Sequence, residues 1–193
     1  MITIAPETQA LIFDCDGTLA DSMPLHYLAW QETVNTFGGQ FPEKLFYDTG
    51  GMPSEQIVVV LNETFGYHLD PHQTAAEKES RFLQHIADVK PIQPVVAIAK
   101  EYHGRLPMAV ATGGVLNVAQ QVLGAIGLAD FFDTIVTRED VTHGKPAPDT
   151  FLEAARRLEA DPRYCLVFED SDAGLEAARR AGMQGIDIRP WRG

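Results

Sequence analysis

From residue 94 to residue 188 short apolar runs alternate with helix-patterned stretches, and that regularity limits the fold more than any other feature of the chain. The apolar spacing predicts helices over 94–102, 115–126, 147–158 and 172–181, and strands over 108–111, 134–136, 165–168 and 185–188. Ser171 or Asp172 stands where a cap for the last helix belongs. Such alternation implies crossover connections and hence parallel strands, and a parallel sheet has to be covered by helices on both faces. One more apolar run, 10–14, follows a lead-in over 1–9 and adds a strand to the same sheet.

Between that strand and residue 108 no β-rich run occurs. Tyr27, Trp30, Val34 and Phe37 recur at spacings of three and four from Pro24 and stop at Gly38-Gly39, which marks an amphipathic helix. Pro53-Ser54-Glu55 opens a second, with Ile57, Val60, Leu61, Thr64 and Phe65 on one stripe, and a third spans 71–87. The expected organisation is therefore an α/β core made of 1–21 and 90–193, with an all-helical cap, 22–89, inserted after the first strand. Asp21-Ser22 and Val89-Lys90-Pro91 are the connections on which such a cap would hinge.

Fifteen Lys plus Arg against 27 Asp plus Glu leave a net charge of -12, which repels nucleic-acid backbones and anionic membrane surfaces. An anionic substrate would need a local positive pocket. Cys15 and Cys165 have no zinc-site or redox-pair spacing and read as reduced core residues. No apolar stretch approaches the roughly 18 residues of a membrane span, and the N-terminus lacks a basic segment followed by a hydrophobic one. A soluble, cytoplasmic protein is expected, with no nucleic-acid or membrane partner and with a monomer favoured.

The ends of the strands carry the chemistry. Leu11-Ile12-Phe13-Asp14-Cys15-Asp16-Gly17-Thr18 delivers two carboxylates to one side of a strand end, the edge where open α/β sheets bind ligands. An aspartate there can attack phosphorus while a second handles a proton; a plain Asp-Gly turn is the alternative. Thr112-Gly113-Gly114 offers a hydroxyl, free amides and a helix start to an anion, or else an ordinary helix cap. Lys145, in Gly144-Lys145-Pro146-Ala147-Pro148, is either a phosphate-neutralising ammonium held by two stiffening prolines or a surface lysine. Glu169-Asp170-Ser171 adds two more carboxylates, which alone could be an acidic helix start. Two carboxylates about 4 Å apart repel by about 4 kcal/mol at an effective dielectric of about 20, so the cluster calls for a cation, and all-oxygen ligands suit Mg²⁺ better than zinc.

These four segments, in this order, resemble the haloacid dehalogenase (HAD) superfamily, in the branch that holds β-phosphoglucomutase and small bacterial sugar phosphatases of the fructose-1-phosphate and 6-phosphogluconate types. The resemblance spans nearly the whole chain and implies a Rossmann-like HAD core with an inserted cap. It implies a phosphoric monoester hydrolase in which Asp14 is the nucleophile that becomes phosphorylated and Asp16 the acid and then the base. Mg²⁺ would bind the Asp14 carboxylate, the Asp16 backbone carbonyl and Asp170, with Glu169 in direct contact or just behind. Thr112, the amides of Gly113 and Gly114, and Lys145 would hold the phosphoryl group of a small phosphorylated metabolite, expected to be a sugar phosphate.

Two cap residues extend the resemblance. His26 matches a histidine that faces the site in the phosphoglucomutase branch, although an exposed helix histidine is the alternative. Lys78, within Glu77-Lys78-Glu79, falls near a cap lysine that contacts substrate, although such a triplet also reads as a solvated face. One departure bears on the reaction. Where the mutases carry an arginine for the second phosphate of a bisphosphate, this chain has Pro53-Ser54 after Gly50-Gly51-Met52, so a phosphatase is expected and a β-phosphoglucomutase-type mutase is the alternative.

Overall fold

Strand β1 (Ala10–Phe13) is apolar at every position because both of its faces are covered. Leu11 and Phe13 point into one core, and Ala10 and Ile12 into another on the opposite side. The computed structural model describes residues 4–192, so positions 1–3 of the expected lead-in and position 193 lie outside the described residues. β1 is the middle of a five-stranded sheet in the order β5-β4-β1-β6-β7, formed with β4 (Met108–Ala111), β5 (Thr134–Val136), β6 (Cys165–Glu169) and β7 (Gln184–Asp187). Every pairing is parallel.

Helices α5 (Gln93–Tyr102) and α6 (Leu116–Ala125) cover the Leu11 face through Val95, Val96, Val118 and Val122. Helices α7 (Asp149–Arg157) and α8 (Asp172–Arg180) cover the other through Phe151, Ala154, Ala177 and Ala178. The chain runs outward from β1 through β4 to β5, then crosses to β6 and β7. The order therefore reverses between β1 and β6, and the crevice beyond their carboxyl ends is where such sheets hold ligands.

The stretch expected to be helical contains four helices, not three: α1 (Met23–Asn35), α2 (Glu43–Asp48), α3 (Ser54–Phe65) and α4 (Pro71–Gln84). Six residues are too few to show a helical period, which is why α2 is not apparent from the sequence. These helices gather a cluster of their own around Trp30, Val34, Phe41, Phe46, Ile57, Val58 and Leu61. The two connections expected as hinges also differ from simple linkers, since β2 (Ala20–Asp21) and β3 (Lys90–Pro91) pair antiparallel and hold the entry and exit of the helical stretch side by side. Elsewhere the boundaries move by one to three residues. The largest shift is in α4, which ends at Gln84 instead of 87 and gives way to a 3₁₀ turn, Ile86–Asp88; α7 starts at Asp149 instead of 147 because the Pro146 and Pro148 segment stays outside the helix.

Phe13 and Phe168 are register partners on β1 and β6, fully buried and stacked with ring centroids 4.7 Å apart. Phe168→Ala should lower the unfolding free energy by about 3–5 kcal/mol, read as a shifted urea midpoint with an unchanged slope.

Candidate active site

Asp14 follows β1, and its amide extends the ladder by donating to the Phe168 carbonyl (3.0 Å). This places its carboxylate beside the end of β6, where Glu169 is the last strand residue. Lys145 enters between them, its Nζ donating to Asp14 Oδ1 at 2.6 Å and to Glu169 Oε2 at 2.7 Å. All three side chains are buried, and the Phe151 ring lies 4.9 Å from the ammonium. Burial works against the Lys145 charge, but the two carboxylates outweigh it and hold the ammonium above its usual range. Burial, and then the neighbouring Glu169, push Asp14 well above the carboxylate range while Lys145 pulls the other way.

Glu169 is itself locked. Its Oε1 accepts from the Asp170 and Ser171 amides (3.0 and 2.9 Å) and from the Ser171 hydroxyl (2.9 Å). Gly174, in the first turn of α8, leaves the space for it, since a Cβ there would lie 2.0 Å from Glu169 Cδ. Ser171 caps the helix by accepting from the Gly174 amide (3.0 Å), so of the two candidate caps Ser171 is the one used. Asp170 accepts from the Thr18 hydroxyl (3.0 Å) and pairs with Arg192, which also donates to the Gly17 carbonyl. Burial and Glu169 together lift Asp170 to about 6, against the pull of Arg192 and Thr18.

Carboxylate oxygens of Asp14, Glu169 and Asp170 all lie within 4.8 Å of one another. This buried all-oxygen set, with two members pushed toward protonation by burial and then by Glu169, fits a hard divalent cation. The side chain of Asp16 is not part of it. Asp16 Oδ1 turns instead to the Ser22 hydroxyl (2.6 Å) and to His26 Nε2 (3.0 Å). Burial raises its pKa, but His26, Ser22 and Lys78 overcome that and leave it at about 2.

His26 and Lys78 are buried, so neither the exposed helix histidine nor the solvated lysine describes them. His26 stacks on Phe82 with ring centroids 3.7 Å apart, and Lys78 Nζ reaches its Nδ1 at 2.8 Å. An ammonium can only donate, so Nδ1 accepts and Nε2 carries the proton that is offered to Asp16. Lys78 also donates to Glu79, which accepts from Ser54 at 2.7 Å. Thr112 follows β4, its hydroxyl accepting from the Gly114 amide (3.0 Å), and Gly113 lies so near the Gly51 carbonyl that a Cβ would be 3.1 Å from it. Asp14, Asp16, His26, Lys78, Lys145 and Asp170, with Thr112 to Gly114 and Glu169, line one cavity of about 610 Å³ between the sheet edge and the helices above it.

The sequence assigns Ser22, Glu79, Arg138 and Arg192 no place in the site, Ser22 being expected only as part of a hinge. Ser22 had a signal, because a serine before a helix normally caps it, yet here its hydroxyl makes no cap bond and goes to Asp16. Arg192 had none, since it lies 175 positions beyond the glycine it contacts.

Comparisons with known proteins agree with this architecture. Residues 11–188 match the haloacid dehalogenase-like hydrolase family. The chain is 42% identical over 180 residues to fructose-1-phosphate phosphatase YqaB of Escherichia coli (strain K12), covering 93% of this chain and 95% of that protein. It is 30% identical over 182 residues to the phosphorylated carbohydrates phosphatase of Thermotoga maritima, covering 92% and 83% of the two. The crystal structure of CbbY from Rhodobacter sphaeroides in complex with phosphate superposes with a TM-score of 0.85 at 25% identity, over 93% of this chain and 85% of that one.

The Glu169 cradle gives a test with a control built in. Gly→Ala inside a helix ordinarily stabilises by about 1 kcal/mol, and Gly124→Ala in α6, where nothing lies within 4 Å, should do so. Gly174→Ala should instead destabilise by about 1–3 kcal/mol through overpacking against Glu169, and denaturant titration of the two variants reads the opposite signs.

Proposed function

Because the chain belongs to the haloacid dehalogenase-like hydrolases and is a phosphatase of that family, we propose that it hydrolyses a small sugar phosphate through a phosphoaspartate, with Asp14 as nucleophile and Asp16 as proton carrier. The observation that carries this reading is the separate anchoring of two carboxylates two residues apart. Asp14 is held by Lys145 at the sheet edge, while Asp16 is held by Ser22 and His26 beneath the helices.

In the first step an oxygen of Asp14 attacks phosphorus, the bond from phosphorus to the sugar oxygen breaks, and the departing alkoxide takes a proton from Asp16. In the second, water attacks the phosphorylated aspartate, Asp16 takes its proton, and inorganic phosphate leaves with Asp14 restored. Asp16 rests as a carboxylate, the form the second step needs. For the first, the arriving anionic phosphoryl group raises its proton affinity by like-charge repulsion, and His26 passes it the Nε2 proton as its Nδ1 takes one from the Lys78 ammonium, a proton the chain regains when Asp16 later strips water. Lys145, the Thr112 hydroxyl and the Gly113 amide would meet the phosphoryl oxygens, whose charge spreads in the transition state, while the Gly114 amide, also expected there, is engaged by Thr112 Oγ1.

Asp14, Glu169 and Asp170 would hold Mg²⁺, with the Asp16 backbone carbonyl as a further ligand, and the ion would supply electrostatic neutralisation of the phosphoryl oxygens. The helices over 22–89 serve as the specificity cap, bringing His26 and Lys78 to the substrate. Ser54, at the position discussed for the mutase arginine, is engaged with Glu79 and offers no cation to a second phosphate. That favours transfer to water over return to the sugar.

A panel of hexose and pentose phosphates, assayed for released phosphate, should show turnover that disappears in chelator and returns with Mg²⁺. Sugar isomerisation in place of phosphate release would mean a mutase, and full activity in chelator would remove the metal from the scheme.

The two aspartates should fail differently. Asp14→Asn should abolish turnover. Asp16→Asn should reduce it by about 10² to 10⁴ for a sugar phosphate, and less for an aryl phosphate, whose leaving group needs little protonation. Single-turnover rates on both substrates check this.

A further inference from the structure

Only one bidentate ion pair among the described residues joins the helical stretch to the sheet edge around the cavity. Glu55, in the first turn of α3, meets the guanidinium of Arg138, in the short 3₁₀ turn Arg138–Asp140 that follows β5. Nη2 donates to Oε1 at 2.7 Å, and Nη1 donates to Oε2. Both residues line the cavity, and each is held by its own surroundings. The Arg138 amide donates to the Gly114 carbonyl (3.2 Å), so the guanidinium is tied to the phosphate-facing Thr112-Gly113-Gly114 segment. Glu55 follows Ser54, whose hydroxyl donates to Glu79, which accepts from Lys78, which reaches His26, which donates to Asp16.

We propose that Arg138 is a positioning residue: by clamping Glu55 it fixes the first turn of α3 over the sheet edge, and so sets the register in which Lys78 and His26 meet Asp16.

Three further observations support this. The segment leading into α3 lies directly on the core, with the Gly51 carbonyl above Gly113 and Pro53 close to Gly144. These contacts are backbone or apolar and leave sliding unopposed, whereas a two-point guanidinium–carboxylate contact fixes direction as well as distance. The pair also shifts both partners toward their charged forms, chiefly through its own hydrogen bonds. And the chain from Ser54 to Asp16 has no slack: every link is a hydrogen bond of about 2.7–3.3 Å, so a shift of an ångström in the first turn of α3 must break one of them.

The inference rests on the proposed roles of Asp16, His26 and Lys78 but can fail independently of them. Arg138→Ala and Glu55→Ala should each lower kcat/KM on the best sugar phosphate by about 10- to 100-fold, with kcat falling as well as KM rising, as expected when a catalytic group is misplaced. The loss on a small aryl phosphate should be several-fold smaller. The double variant should be no worse than either single one, and the reversed pair Glu55→Arg with Arg138→Glu should recover most of the loss. If Arg138→Ala is impaired while Glu55→Ala is not, the guanidinium meets the substrate directly and the clamp is overturned. Additive losses with no recovery in the reversed pair overturn it equally. A readout without substrate runs alongside: amide exchange of residues 54–58 should quicken in both single variants and return in the reversed pair. Unchanged exchange refutes the clamp even if no sugar phosphate is turned over, a result that would count against the proposed function instead.

Discussion

The buried ammonium of Lys145 between Asp14 and Glu169 is the contact on which the rest of the site depends. Without it two carboxylates would face each other out of water, an arrangement folding cannot sustain unless one is neutralised. The surroundings are built to keep it in place. Glu169 spends its second oxygen on two amides and a hydroxyl, Gly174 vacates the volume its side chain fills, and Phe151 closes the apolar side. The three elements that carry the triad meet only because β1 and β6 are neighbours at the point where the strand order reverses.

Asp14 and Asp16, though two residues apart, sit in different electrostatic worlds. Past Phe13 the chain leaves the sheet, and the Cys15 carbonyl gathers the amides of Thr18, Leu19 and Ala20 in a tight loop that turns Asp16 away from the ladder. Asp14 therefore answers to the core, through Lys145. Asp16 answers to the helices, through His26 and Lys78. Their pKa values are displaced in opposite directions by these neighbourhoods, Asp14 toward its neutral form and Asp16 toward its charged form, so a cation arriving beside Asp14 and an anion arriving beside Asp16 would move each toward the form its proposed task needs.

Most of the sheet was legible because the period changes cleanly between strand and helix, and the strand-end motifs follow from it. What was not legible has physical reasons. Lys78 sits between two glutamates, a pattern that is normally solvated, yet α4 packs on α1 so that its ammonium lies near the Trp30 and Phe82 rings and bonds His26. Periodicity cannot reveal a charged residue buried by its partners. His26 likewise is paired across 52 positions of sequence, and its burial comes from stacking on Phe82. The ribbon of β2 and β3 is two residues wide, below the length at which alternation can be read.

The charge pattern of the cavity bears on the cation as well. Asp14, Asp16, Glu55, Glu79, Glu139, Glu169 and Asp170 line it, and Lys78, Arg138 and Lys145 oppose them, with Arg192 paired to Asp170 from outside the lining. Carboxylates outnumber cations around the place where the phosphoryl group must arrive, and the chain as a whole, at -12, adds no long-range attraction. Each of these cations is moreover already paired: Lys145 with Asp14 and Glu169, Lys78 with Glu79, Arg138 with Glu55, Arg192 with Asp170. A phosphate monoester entering such a site meets net repulsion unless positive charge enters with it or before it. Among the described residues, the oxygen set formed by Asp14, Glu169 and Asp170 is the place where a divalent cation would relieve the crowding of the carboxylates and the repulsion of the substrate together. The acidic character of the cavity thus sets the same demand for positive charge that the proposed metal would meet, and the proposal follows from the charge arrangement itself.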